Sequence, residues 1–140
     1  MKITDMTLTL FAWDNIPATT YGRHTGRFGG QSQLGLLTLR TDEGAEGHAF
    51  LGSASRGAQY DAESLMSSLK PLVMDQDPLE RERLYQALLT RSRQTTWRAI
   101  GAVDVALWDL GGKLAGLPIH RLPGSYRERL PRYARAAGVS

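Results

Sequence analysis

Asp104, Asp109 and Lys113 fall within a single apolar stretch near the end of this 140-residue chain. A carboxylate pair can hold a divalent cation, or divide acid and base work between its members. Five positions apart on a helix, however, Asp104 and Asp109 stand about 140° around the axis from each other. They do not readily share a metal. Asp109 precedes Lys113 by four residues, the favourable order for an acid–base pair on a helix. Both acids therefore read as structural, because buried carboxylates are usually paired, and Asp104→Ala is expected to cost stability before anything else. His48 and His120 stand apart from other ligand types, so neither reads as a metal ligand. Gly26–Gly30 is not a phosphate loop: it lacks the Lys-Ser/Thr ending and leads into a strand pattern rather than a helix. With no cysteine in the chain, disulfides, thiolate metal sites and cysteine nucleophiles are excluded.

The elements that must position these groups follow from periodicity. Ile3 to Trp13 alternates, with Leu8, Leu10 and Ala12 on one face, and predicts a half-buried strand. Asn15 to Gly30 holds Pro17 and four glycines and predicts a long loop, of a length more often functional than merely connecting. A second strand is expected over Leu34–Leu39 and a third over Glu46–Leu51. Thr41-Asp42-Glu43-Gly44 supplies the turn between them. A glycine-containing loop, Gly52–Gly57, comes next, and from there the period becomes helical.

Asp61 is expected to cap a helix that carries Leu65, Met66, Leu69, Leu72 and Val73, kinked or shortened by Pro71. Asp77-Pro78-Leu79-Glu80 is expected to open a second helix bearing Leu84, Tyr85, Leu88 and Leu89. The third starts near Thr95 or Thr96 and reaches about Leu114, stopped by Gly116 and Pro118. It is apolar nearly all round, which requires burial on several sides. Trp97 and Trp108 are expected in the core, and Phe50 with them. The fold class is α+β: a three-stranded antiparallel meander followed by a helical bundle.

Composition is ordinary for a globular protein, with 41% hydrophobic and 22% charged residues. No apolar run approaches the ~20 residues that span a bilayer. The opening Met1-Lys2-Ile3-Thr4-Asp5 lacks the apolar core of a signal peptide, so a cytoplasmic address and no membrane partner are expected. The net charge is +3 and the pI about 9.5. Arg121, Arg127, Arg129, Arg132 and Arg135 gather near the end against the lone Glu128. That tail admits an alternative, a free-standing basic module binding nucleic acid. Against it, the basic residues are not interleaved with aromatics, no recognition-helix pattern appears, and no nucleic acid is expected as partner.

Read in full, Ala99 to Gly124 resembles the N-terminal signature of the mandelate racemase and muconate lactonizing family of the enolase superfamily. Ala99, Ala102, Asp104, Ala106, Leu107, Asp109, Gly112, Lys113, Pro118, Ile119, Leu122 and Gly124 match in register. Pro123 departs, where an aliphatic residue is usual. The Thr41–Gly47 hairpin and the Asp77-Pro78 helix start are also similar to the family pattern.

The resemblance implies an α+β cap over residues 1–125. Residues 126–140 would be a linker and the start of the first strand of a (β/α) barrel whose remainder this chain does not contain. It implies an enzyme, a magnesium-dependent lyase or isomerase that removes the proton next to a carboxylate. Acid-sugar dehydratases, racemases, epimerases and cycloisomerases all belong to this type. The ion and the catalytic bases would sit on the barrel, leaving this chain without catalytic or metal residues and inactive by itself. The family's first two loops act as a lid, which makes Tyr21, Arg23, His24, Ser53 and Arg56 the candidate substrate contacts. Polar residues there suit a polyhydroxy acid or hydroxy acid. The implied partners are that carboxylate substrate, the protein's own barrel and further copies in a homo-oligomer.

Overall fold

The structure, a computed structural model, describes residues 1–20 and 27–124 together with Arg129 and Pro131. Three strands, β1 (Ile3–Thr20), β2 (Arg27–Thr41) and β3 (Glu46–Leu51), form an antiparallel sheet in the order β1-β2-β3. The β2–β3 turn closes as its composition demands. The Thr41 hydroxyl accepts from the Ala45 N–H at 3.0 Å, and Gly44 takes φ +82°.

The expected loop over residues 15–30 is a correction: most of it is strand. Ile16 pairs with Gly30, Thr19 with Phe28 and Thr20 with Arg27, so the hairpin arms continue well beyond Trp13. Register irregularities lie between Trp13 and Ile16 and again between Ile16 and Thr19, and Asn15 has φ 55°. Bulges of this kind break the two-residue period and interrupt the ladder locally, and pairing resumes beyond them. That is why the pattern looked aperiodic.

The helical half comprises α1 (Gln59–Ser64), a π-helical turn (Leu65–Leu69), α2 (Lys70–Val73), α3 (Arg81–Leu89), α4 (Trp97–Ala115) and a 3₁₀ turn (Ile119–Arg121). Pro71 does not stop the first run at once: helical backbone continues to Val73, and the irregularity lies just ahead of the proline. Proline has no N–H and its ring crowds the carbonyl four residues back, and the backbone widens just before it. There the Lys70 N–H donates to Leu65, five residues earlier.

Asp61 does not cap α1, which begins at Gln59 behind Ala58; its carboxylate is engaged elsewhere. Asp77 starts a turn instead of a helix: its carboxylate accepts from the Leu79 N–H at 2.9 Å and its carbonyl from Glu80. Helix α3 begins only at Arg81. The third helix agrees closely with its signals. Thr96 caps it by accepting from the Ala99 N–H at 3.2 Å, and Gly116, at φ 63°, ends it.

The core lies between the sheet and the helices. Ile3, Met6, Leu37, Leu39, Ala49 and Leu51 meet Leu65, Leu69, Val73, Leu84, Leu88, Ile100, Val103 and Leu107. Helix α4 lies so close to β3 that a Cβ on Gly47 would fall 2.2 Å from the Ala106 carbonyl oxygen.

Two core expectations fail. Phe50 is 74% exposed, because Gly47, Ala49 and Leu51 take the inner face and strand alternation turns Phe50 outward. Trp97, the first residue of α4, is 66% exposed, while Trp108 is half-buried beneath Arg81. Among the described residues, no helix is long and apolar enough to cross a membrane.

Candidate functional site

Strand pairing leaves a step in the sheet. β2 pairs with β3 only over residues 35–40 and 46–51, while the β1–β2 hairpin continues out to Thr20 and Arg27. The Gly52–Gly57 loop leaves β3 at this step and is bound to the neighbouring part of β2. Ser32 Oγ donates to the Ser53 carbonyl at 2.6 Å, and the Ala58 N–H donates to the Gln33 carbonyl at 2.8 Å. Gly52 has φ +102°, and a Cβ there would lie 2.6 Å from the Gln33 oxygen. Only glycine suits that corner.

Within the loop, Ser53 serves largely as a brace. Its N–H donates to the Arg56 carbonyl at 2.9 Å and its hydroxyl accepts from the Arg56 N–H at 3.2 Å. The Arg56 side chain lies 5.4 Å from the Tyr60 ring centroid and 3.5 Å from Asp61 Oδ1, and is 47% exposed.

Asp61 has no exposed surface, yet it is a charged residue at the centre of this region. Arg98 Nε donates to its Oδ2 at 2.7 Å and Nη2 approaches the same oxygen at 2.5 Å. Thr96 donates to Oδ1 at 2.9 Å. The rest of the Arg98 guanidinium turns to the loop backbone. It donates to the Arg56 carbonyl at 3.1 and 3.2 Å and to the Gly57 carbonyl at 3.1 Å. Two guanidinium groups thus face one carboxylate, and the surplus positive charge is carried by the half-exposed Arg56. Such a group can bind an anion.

Sequence reading missed Asp61 and Arg98 as partners. Their separation of 37 positions fits no local spacing rule, and the acid resembled a helix cap. The single available hint was an arginine directly ahead of the matched signature.

The other candidates are placed as follows. Tyr21, Arg23 and His24 lie outside the described residues, as does most of the arginine-rich tail with the expected linker and barrel strand. Asp109 Oδ2 accepts from the His48 backbone N–H at 2.8 Å and from Lys113 Nζ at 2.6 Å. Lys113 also reaches the Glu46 carbonyl at 2.9 Å. Burial pushes the Asp109 carboxyl up, but the Lys113 and His48 hydrogen bonds outweigh it and hold it below the ordinary value.

Asp104 behaves differently. Burial raises its carboxyl above the ordinary range against the pull of Arg81, which is 3.8 Å away, and its Oδ1 is buried without a hydrogen-bond partner. Asp104 and Asp109 thus serve different neighbours and form no pair. Among the described residues, no group of three or more His, Asp or Glu side chains is placed to hold a metal ion. The described residues do not fit a magnesium site.

A depression of about 430 Å³ lies beside α4 between Leu79, Arg81, Trp108, Leu122 and Pro123. Its lining is chiefly apolar. Arg81 and Glu82, its charged members, are paired with each other at 2.6 Å. It offers no acid–base chemistry.

Comparison with known proteins agrees with this architecture. Residues 16–124 match the sequence model of the mandelate racemase / muconate lactonizing enzyme N-terminal domain. A D-galactonate dehydratase family member from Marinomonas sp. (strain MWYL1) is 36% identical over 118 residues, covering 76% of this chain and 27% of its own length. A D-mannonate dehydratase from Sphingomonas sp. (strain SKA58) is 37% identical over 111 residues, covering 74% and 27%. The chain therefore spans about a quarter of the length of the curated relatives it matches.

Among solved structures, D-glucarate dehydratase from Agrobacterium tumefaciens, complexed with magnesium, superposes with TM-score 0.70 at 29% identity, over 91% of this chain and 34% of that one. An enolase-superfamily member from Polaromonas sp. JS666 gives TM-score 0.80 at 22% identity, over 99% and 37%, a likeness of fold. Nothing in these comparisons supports a nucleic-acid-binding module. With its meander-and-helices fold and its matched signature, this chain belongs to the mandelate racemase and muconate lactonizing enzyme family, as its N-terminal domain.

Proposed function

We propose that this chain is the substrate-capping domain of a magnesium-dependent enzyme that removes the proton α to a carboxylate, and that the reaction is dehydration of an acid sugar. The single observation that carries the reading is Arg56: a half-exposed guanidinium on a tightly braced loop, sharing a carboxylate that Arg98 already holds. The names of the relatives, a D-galactonate dehydratase family member and a D-mannonate dehydratase at 36–37% identity, supply the reaction class.

In this reading the barrel is contributed by a further length of polypeptide, which also carries the acids that hold magnesium and the bases that move protons. When bound, the ion lowers the cost of the charge that develops on the substrate's carboxylate. The chain described here binds and orients. Arg56 attracts an anionic or polyhydroxylated end of the substrate, and the braced loop excludes water on that side. Tyr21, Arg23 and His24 belong to the proposed lid on the family resemblance. The reaction balances as loss of the α-proton and the β-hydroxyl as one water, leaving an enol that becomes a 2-keto-3-deoxy acid. Asp104, Asp109 and Lys113 are proposed as scaffold residues.

The test is to express the longer polypeptide encoded by the gene and assay it with Mg²⁺ against a panel of aldonic and aldaric acids for 2-keto acid product. Turnover of at least one is expected, with Arg56→Met raising KM about tenfold and leaving kcat within about twofold. A coding sequence with no barrel downstream, or a full-length enzyme inert toward every acid sugar, would overturn the reading.

A further inference from the structure

Arg98 stands out because its side-chain hydrogen bonds go to other elements. It occupies the first turn of α4, next to the Thr96 cap, and it spans three parts of the molecule: its own helix, the Asp61 carboxylate on α1, and the backbone of the Gly52–Gly57 loop. Thr96 closes the circuit by donating to Asp61 while accepting from the Ala99 N–H. Helix α4 is a firm base for such a device. It is fixed to β3 by the Asp109–His48 hydrogen bond and by the close approach at Gly47.

We infer that Arg98 is a positioning residue for the Gly52–Gly57 loop, setting its shape before any ligand arrives so that Arg56 meets its anion from a fixed backbone. The inference rests on the capping-domain reading above, which gives the loop its substrate. Three features carry it. Arg98 holds the two successive carbonyls of Arg56 and Gly57, which anchors the backbone of the anion-facing residue itself. It takes the whole of one oxygen of Asp61, so that Arg56 keeps only a 3.5 Å approach to the other and its charge stays available. It also does so from full burial of the carboxylate, where removing one partner is costly and the geometry is correspondingly well defined. A loop ordered in advance loses less freedom on binding, so the benefit appears as affinity.

Arg98→Lys separates charge from geometry. An ammonium can neutralise Asp61, but it has no planar fork with which to reach the loop carbonyls as well. Asp61→Asn is the second variant: it keeps the shape and releases Arg98.

Two measurements are made on each. The first is amide hydrogen exchange in the 140-residue chain. The Ser53 and Arg56 amides should exchange about tenfold faster, while Leu37 and Leu39 in the sheet keep their parent rates. The second is steady-state kinetics of the longer polypeptide with an acid sugar that it turns over, in which KM should rise about tenfold with kcat within about twofold. Unchanged loop exchange would overturn the inference, as would faster exchange spread evenly over the chain, or a faster loop with KM unaltered. A longer polypeptide that turns over no acid sugar defeats the capping-domain reading instead, and the exchange data still decide whether Arg98 holds the loop.

Discussion

Asp109 on α4 accepts a hydrogen bond at 2.8 Å from the backbone N–H of His48 on β3, 61 residues earlier. The same carboxylate oxygen takes Lys113 Nζ at 2.6 Å, and Lys113 goes on to the Glu46 carbonyl. One acid thereby fixes the helix to the third strand, whose N-terminal half faces Leu110 and Ala106 through the gap left by Gly47.

Asp109→Ala should destabilise the chain by about 2 kcal/mol, since it removes hydrogen bonds to a charged acceptor. Denaturant unfolding with an unchanged m-value checks this. The sign of the pH dependence follows from the lowered carboxyl. Stability from Asp109 is fully present above the ordinary aspartate value of about 3.9 and is lost as pH falls through that value and below it. The gap between parent and variant should therefore close in acid.

Asp104 should show the opposite trend. Its carboxyl is raised by burial, so ionisation at neutral pH works against folding, and the parent gains relative stability as pH falls toward the ordinary value. Asp104→Asn should lie within about 0.5 kcal/mol of the parent at pH 7 or above it. Asp104→Ala, which also strips Arg81 of its neighbour, should cost about 1 kcal/mol. A larger loss for Asn than for Ala would contradict this account of the site.

Two glycines should respond in opposite directions. Gly47→Ala places a Cβ 2.2 Å from a backbone oxygen of α4 and should cost about 3 kcal/mol. Gly101→Ala, in the interior of α4, meets nothing within 4 Å and should stabilise by about 0.5–1 kcal/mol. Thermal melts of both variants check the pair.

The outer face of the sheet exposes Phe11, Trp13 and Phe50. Strand pairing sets Phe50 beside Leu36 and Phe11 beside Leu34 on that face. The 140-residue chain by itself should self-associate at micromolar concentration, and Phe50→Ser should weaken association without lowering the melting temperature. Sedimentation of the two proteins gives the answer, and a monomeric parent would refute the expectation.

The sequence by itself determined what depends on near neighbours. The fold class, the Thr41–Gly44 turn, the Thr96 cap, the Gly116 stop and the family signature were all legible. Each is set by residues a few positions apart, acting through backbone dihedrals, capping hydrogen bonds or helical periodicity. Where the period was broken, the reading failed. Bulges hid the outer hairpin arms, and apolar identity outweighed strand alternation at Phe50. What only the tertiary structure decided is how the candidate site is assembled around Arg56. Asp61 and Arg98 meet across 37 residues, and Arg56 takes its place from both. A buried charge needs a partner of opposite sign, but nothing in the chain order says which one folding will bring to it.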